Sequence, residues 1–173
     1  AAKATGLPAV FLNSDNVPTV DELRRWDLVL VLNIAAPDAA TLTERLRQAR
    51  AEGGKPRVVA LDRRGSHNSL QRTGILESDE QVPAYWVPNG SANLRRMFGY
   101  LSVKYFGGQD KVEPPMPMPE SGFYLPGREQ AVETLPEFRT LAKWRDGAPV
   151  AALLIQQAFW VTQDTKVIDA LVA

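Results

Sequence analysis

Leu28-Val-Leu-Val-Leu-Asn-Ile34 is the stretch that decides the fold. Side chains alternate between the two faces of a strand, and here both faces are apolar. A strand with one wet face would alternate polar and apolar residues; this pattern belongs to a central parallel strand covered by helices on both sides. Parallel strands need a crossover between them, usually a helix. The flanking residues are therefore expected to alternate strand and helix.

Working outward towards the N-terminus, Thr19-Val-Asp-Glu22 has the spacing of a capping box and predicts a short helix through Leu23 and Trp26. The apolar run Leu7-Pro-Ala-Val-Phe-Leu12 before it reads as another strand. On the C-terminal side, Ala36-Pro37-Asp38 starts a helix with proline in its first turn. Leu42, Leu46 and Ala49 give that helix one apolar stripe, Arg45, Arg47 and Arg50 lie towards its C-terminal end, where the dipole favours cations, and Gly53-Gly54 ends it. Arg57-Val-Val-Ala-Leu-Asp62 is the third strand, and residues 68–73 form a short helix. Val82-Pro-Ala-Tyr-Trp-Val87 reads as a fourth strand, placed near an edge by Pro83. Pro88-Asn-Gly-Ser91 then turns into a long helix with Leu94, Met97, Phe98, Leu101 and Tyr105 on its buried face, stopped by Gly107-Gly108. Four strands alternating with helices predict an α/β fold: a parallel, doubly wound, flavodoxin- or Rossmann-like three-layer sheet over residues 1–108.

The next stretch, Val112-Glu-Pro-Pro-Met-Pro-Met-Pro-Glu-Ser-Gly-Phe-Tyr-Leu-Pro126, holds five prolines between Pro114 and Pro126. They fix φ and remove backbone donors, which rules out a helix or an inner strand. The expectation is an extended, Pro-rich connector over residues 109–133. It carries Met116, Met118, Phe123 and Tyr124, more apolar bulk than a solvated linker usually has, and Phe123 and Tyr124 are expected to bury against the first unit. Thr134-Leu-Pro-Glu137 is a second capping box, followed by a helix with Phe138, Leu141 and Trp144. Val150-Ala-Ala-Leu-Leu-Ile155 reads as another buried strand and residues 162–172 as a helix. Residues 134–173 are thus expected to begin a second α/β unit.

Composition excludes several classes. Twenty basic residues balance twenty acidic ones, which argues against a general nucleic-acid or anionic-membrane binder. No apolar run reaches the roughly 18 residues that cross a bilayer. Cysteine is absent, so there is no disulfide, thiolate nucleophile or thiolate metal site. His67 is the only histidine. No dinucleotide fingerprint, P-loop, zincin helix or nucleophile elbow is present.

In an open parallel sheet, ligands sit beyond the C-terminal ends of the strands. That rule nominates the loops at residues 13–16, 33–38, 62–68 and 89–93. The richest is Asp62-Arg-Arg-Gly-Ser-His67: Arg63 and Arg64 are suited to a carboxylate, and His67 to proton donation or ligation. Trp160, in Phe159-Trp160 after the last apolar run, is suited to stacking on a flat ligand. The plainer alternatives are a solvated loop and an aromatic pair buried at an interface.

Three stretches resemble a known family, the large subunit of aerobic cobaltochelatase (CobN) and the H subunit of magnesium chelatase. Asn93-Leu-Arg-Arg-Met-Phe-Gly-Tyr-Leu-Ser-Val-Lys-Tyr-Phe-Gly107 resembles the helix before that family's connector. Pro119-Glu-Ser-Gly-Phe-Tyr-Leu-Pro126 resembles its Pro-x-x-Gly-[Ile/Leu]-Tyr-His-Pro signature, which assigns structural roles to Gly122, Tyr124 and Pro126. The run from Val150 to Leu171 resembles its strand, loop and helix. Leu125 stands where the signature has histidine, and Gln156-Gln157-Ala158 where the family has Tyr-Arg-Ser.

The resemblance implies the N-terminal part of a metal chelatase subunit that binds a tetrapyrrole, porphyrin or corrin, for ATP-driven metal insertion. Partners would be the tetrapyrrole, an AAA+ ATPase and adaptor chelatase subunits. No cofactor is expected in this fragment; ATP and a divalent metal ion are implied for the full complex, with catalytic residues elsewhere. The expected compartment is the cytoplasm, with the periplasm as the alternative. The alternative is a non-catalytic tetrapyrrole-binding or protein-docking module, favoured by the changes at Leu125 and Gln156–Ala158.

Overall fold

The computed structural model describes residues 7, 9–10, 16–32, 34–61, 68–86, 90–109, 111–128, 130–157, 159 and 164–172. The first helix, α1 (Val20–Arg25), begins where the capping box predicts. Thr19 Oγ1 accepts from the Glu22 amide, and the Glu22 carboxylate accepts from the Thr19 amide at 2.8 Å, so two orphan donors of the helix end are satisfied reciprocally. β1 (Leu28–Val31) follows, then α2 (Ala36–Ala51) with proline in its first turn. Leu42, Leu46 and Ala49 of α2 are all buried. Its arginines act as staples. Arg45 donates to the Val17 and Pro18 carbonyls, and Arg50 to the Pro56 carbonyl.

β2 (Arg57–Ala60) lies parallel to β1 in a register that pairs Leu28 with Arg57 and Val31 with Ala60. Beyond β2, Val59 and Glu77 form a single parallel bridge, with the Glu77 amide 2.8 Å from the Val58 carbonyl. The pleat sorts the strand side chains into two clusters. Val29, Val31 and Val58 join Leu23, Leu42, Leu46 and Leu70 in one. Leu28, Leu30, Val59 and Leu61 join Val82, Tyr85, Met97 and Leu101 in the other. The apolar-on-both-faces reading of residues 28–34 therefore holds for β1, although the strand ends at Val31.

The fold is mixed helix and strand around a small parallel sheet, and the doubly wound sheet of four strands is not what the described residues form. Leu7, Ala9 and Val10 are not in a strand, and the rest of 7–12 lies outside the described residues. The larger correction concerns residues 82–87. After the one-turn helix α3 (Asn68–Gln71), residues Gln81–Trp86 form helix α4. Pro83 falls in the first turn of α4, where its missing N–H has no helical partner to lose. The Asp79 carboxylate caps the turn by accepting from the Gln81 amide at 3.0 Å. Val82, Pro83 and Tyr85 are buried by it. Pro83 is a helix-start residue rather than a mark of an edge strand.

α5 (Gly90–Phe106) buries Met97 and Leu101 and half-buries Leu94, Phe98 and Tyr105, the face its spacing predicts. Gly107, at φ 70°, ends it, in the left-handed region that favours glycine. Residues 111–119 then run without helix or strand. α6 (Leu135–Leu141) starts at Thr134, whose hydroxyl accepts from the Glu137 amide at 3.4 Å. Residues 150–155 do not form the expected buried strand: Val150, Leu153 and Leu154 are exposed, Leu154 at 96%. A strand needs a neighbour to complete its ladder, and no described segment pairs with this one. The last helix is α7 (Lys166–Val172).

Candidate functional site

Helix α5 carries two polar stations, one near each end. Near its start stands Asn93, whose side chain is fully buried although it shares the face of Met97 and Leu101. A buried amide must find partners, and Asn93 finds them on the extended stretch. Its Nδ2 donates to the Met116 carbonyl at 2.9 Å, and its Oδ1 accepts from the Met116 amide at 2.7 Å. The side chain thus reads one residue of the Pro-rich stretch as a neighbouring strand would. Tyr85 Oη donates to the Glu113 carbonyl at 2.6 Å. Arg96 donates to the Pro114 carbonyl at 2.9 Å and pairs with the Glu113 carboxylate at 3.0 Å. Proline supplies carbonyls but no amides, so anchoring through donors on the helix suits this sequence. Residues 113–116 form a strap tied down along α5.

The second station is Asp79, whose side chain is 1% exposed. Lys104 Nζ donates to it at 2.8 Å, Tyr105 Oη at 2.7 Å and Tyr100 Oη at 3.1 Å. Burial alone would raise its pKa, but the donors from Lys104, Tyr105, the Gln81 amide and Tyr100 together hold it below the ordinary aspartate value. The same carboxylate pushes Tyr105 and Tyr100 upward, with burial the larger cause in each. Arg57 stacks over the Tyr105 ring at 4.8 Å and pairs with Glu77 at 3.0 Å. No buried side-chain N or O among the described residues lacks a partner. The hub fixes the end of α5 to the start of α4.

Beyond the strap comes Gly122-Phe-Tyr-Leu-Pro126. Phe123 and Val132 exchange both backbone hydrogen bonds, at 2.7 and 3.0 Å. A Cβ on Gly122 would stand 2.8 Å from that of Ala131, so only glycine fits at that crossing. Leu125, Pro126, Gly127 and Arg128 make a type II-like turn with proline second and glycine third, Gly127 at φ 77° and the Arg128 amide 3.2 Å from the Leu125 carbonyl. Phe123 stacks on Phe138 at 5.0 Å, and Phe138 meets the edge of Trp144 at 6.2 Å. Tyr124 Oη donates a short hydrogen bond to Asp169 of α7, which also accepts from Thr165. Burial and then this carboxylate hold the Tyr124 phenol above its ordinary pKa. Phe123 and Tyr124 are half-buried, and these partners all belong to the segment that follows, not to the first unit as expected.

Arg63, Arg64, His67 and Trp160 lie outside the described residues, so the structure neither gathers nor separates them. Among the described residues no cluster of three or more His, Cys, Asp or Glu is placed to hold a metal. No described helix is long and apolar enough to cross a membrane. Sequence reading nominated residues 89–93 as a ligand loop, whereas 90–93 begin α5; it did not single out Asn93, and it passed over Asp79. Asn93 did leave a signal: it stands four residues before Met97 and eight before Leu101, a polar residue on an apolar face. Asp79 left only a local one, an acid two residues before Gln81 and suited to cap a helix; its side-chain partners are 21 to 26 residues away.

A family model described as CobN/Magnesium Chelatase matches residues 83–173. It spans α5, the strap, the glycine–tyrosine–proline turn and α7. No curated protein and no solved structure matched the chain.

Proposed function

Because the chain belongs to the CobN/magnesium chelatase family, we propose that it serves as the tetrapyrrole-binding N-terminal part of a metal chelatase subunit. The observation that carries this reading is the match over residues 83–173, more than half of the chain. In this reading the two parallel strands belong to an α/β head over residues 1–108, and residues 109–133 connect it to a second α/β unit beginning at 134. The tetrapyrrole is held by aromatic stacking and by arginines on its carboxylates. Trp160, Arg63, Arg64 and His67 are the residues assigned to it. Metal insertion is driven by an AAA+ ATPase and an adaptor subunit, with ATP consumed by the ATPase and the metal ion as substrate; the chain itself does not catalyse it. The working compartment is the cytoplasm.

A second reading rests on a specific observation. Leu125, half-buried in the turn before Pro126, stands where the signature has histidine. An apolar side chain there neither donates a proton nor ligates a metal. This favours a module that kept the fold and binds a tetrapyrrole, or docks a protein, without supporting insertion.

Titration of the chain with protoporphyrin, haem and a cobyrinate-type corrin, followed by absorbance and tryptophan fluorescence, tests the first reading. Saturable binding of at least one, lost in a Trp160→Ala/Arg63→Ala variant, is expected. Binding of none of the three removes the tetrapyrrole reading. Metal insertion by the chain alone would overturn its assignment as non-catalytic.

A further inference from the structure

Between α5 and the strap lies an open cleft of about 600 Å³. Its cations are Arg95 and Arg96 on α5, Lys111 before the strap and Arg128 after the turn; its one carboxylate among the described lining residues is Glu113. Glu113 is already engaged by Arg96. Neither Lys111 nor Arg128 has a described acid as an ion-pair partner, and both are exposed. The adjacent acids in sequence, Asp110 and Glu129, lie outside the described residues. A second cavity makes a contrast: it is lined by Arg24 and Arg25 with Asp21 and Glu52, and Arg24 pairs with both acids.

A second observation points to the same cleft. Gly99 lies inside α5, two turns before its end, and lines the cleft. A glycine inside a helix is destabilising relative to alanine. Its φ is not in the left-handed region, and a Cβ built on it would have nothing within 4 Å. Neither backbone conformation nor internal packing requires glycine there. Without a side chain it leaves the cleft open beside cations that arrive from three separate segments.

We propose that this cleft binds a compact polyanion, a small molecule carrying at least two carboxylate or phosphate groups. Arg96 is held in place by Glu113 and the Pro114 carbonyl, so part of the site is preorganised. Lys111 and Arg128 supply the other exposed cations of the lining. A planar guanidinium accepts either oxyanion in a bidentate fork, and the ammonium adds a point charge. The site is independent of the tetrapyrrole reading, since it is made of described residues that share none of that reading's side chains.

The test is calorimetric titration of the full chain with two probes, inorganic pyrophosphate and benzene-1,2,4,5-tetracarboxylate, at low and high salt. Saturable single-site binding of at least one is expected, and the preferred probe tells phosphate from carboxylate. Binding should weaken with salt. Lys111→Glu and Arg128→Glu should each weaken it about tenfold, the loss of one charge-assisted contact. Gly99→Trp, which alters no charge, should abolish it. Arg25→Glu, with the same change in net charge at the other cavity, should leave it intact. Circular dichroism checks folding; if Gly99→Trp unfolds, the exposed double variant Lys111→Gln/Arg128→Gln decides instead, by loss of binding. The proposal is overturned if neither probe binds, if Arg25→Glu weakens binding as much as Lys111→Glu, or if the folded Gly99→Trp or the double variant binds like the wild type.

Discussion

Residues 16–109 and 130–172 differ more in burial than in composition. Among the described residues, nearly every buried apolar side chain lies in the first region, from Leu23 to Leu101, and the second contributes only Val132 and Ile168. Helix α6 buries nothing, while Val150, Leu153, Leu154, Val167 and Leu171 face solvent. Both regions have apolar runs of strand-like sequence. The run at 28–31 became a strand because β2 and helices from both sides cover it; the run at 150–155 has no such cover among the described residues. Apolar sequence supplies the drive to be buried, but only a neighbour supplies the ladder and the packing.

A buried charge breaks this contrast most severely. Val31→Asp places a carboxylate among Leu42, Leu46 and Val58 and should cost on the order of 5 kcal/mol, enough to abolish soluble, cooperatively folded protein. Leu154→Asp, the same class of change in the other region, should shift stability by no more than about 0.5 kcal/mol. Thermal melts of the two variants check both; equal effects would mean that the exposed run is covered after all.

Asp79→Asn should cost on the order of 3 kcal/mol, because it removes the charge that Lys104 and both tyrosines are arranged around. The pH dependence has a definite sign. A carboxylate whose folded pKa lies below its unfolded value adds stability above the unfolded value and loses it as pH falls through the folded one. For Asp79 that loss belongs below about pH 4, in the direction its lowered pKa dictates. Urea unfolding as a function of pH should therefore show a shallower acid decline in Asp79→Asn than in the wild type.

Smaller effects sharpen the boundary between the regions. Asn93→Ala removes both hydrogen bonds to Met116 and should cost about 2 kcal/mol, exposing residues 113–119 to protease while α5 stays folded. Phe123→Ala/Tyr124→Ala should do the reverse. It should free α6 and α7 to proteolysis and leave the strap protected, because the partners of these side chains are Phe138 and Asp169. Peptide mapping of limited digests separates the two patterns, and cleavage of the strap in both variants would refute the division. One substitution should instead be a gain. Gly99→Ala should stabilise the chain by about 0.5–1 kcal/mol, since the added methyl meets nothing, and a denaturant midpoint that does not rise would show that the glycine is needed within the chain.

By itself the sequence determined what depends on near neighbours. The Thr19–Glu22 box, the stripes of α2 and α5 and the two-faced apolar run at 28–31 all rest on spacings of a few residues, which fix dihedrals and faces before any long contact forms. The family signature was legible for the same reason, being short and ordered. What tertiary structure alone decided rests on distance. Residues 82–86 became helical because Asp79, held by Tyr100, Lys104 and Tyr105, caps them. The strap is fixed by an amide 23 residues earlier in the chain. Arg96, Lys111 and Arg128 share one cleft only because the strap folds back along α5. Such groups come from separate segments, and no local periodicity records which of them will meet.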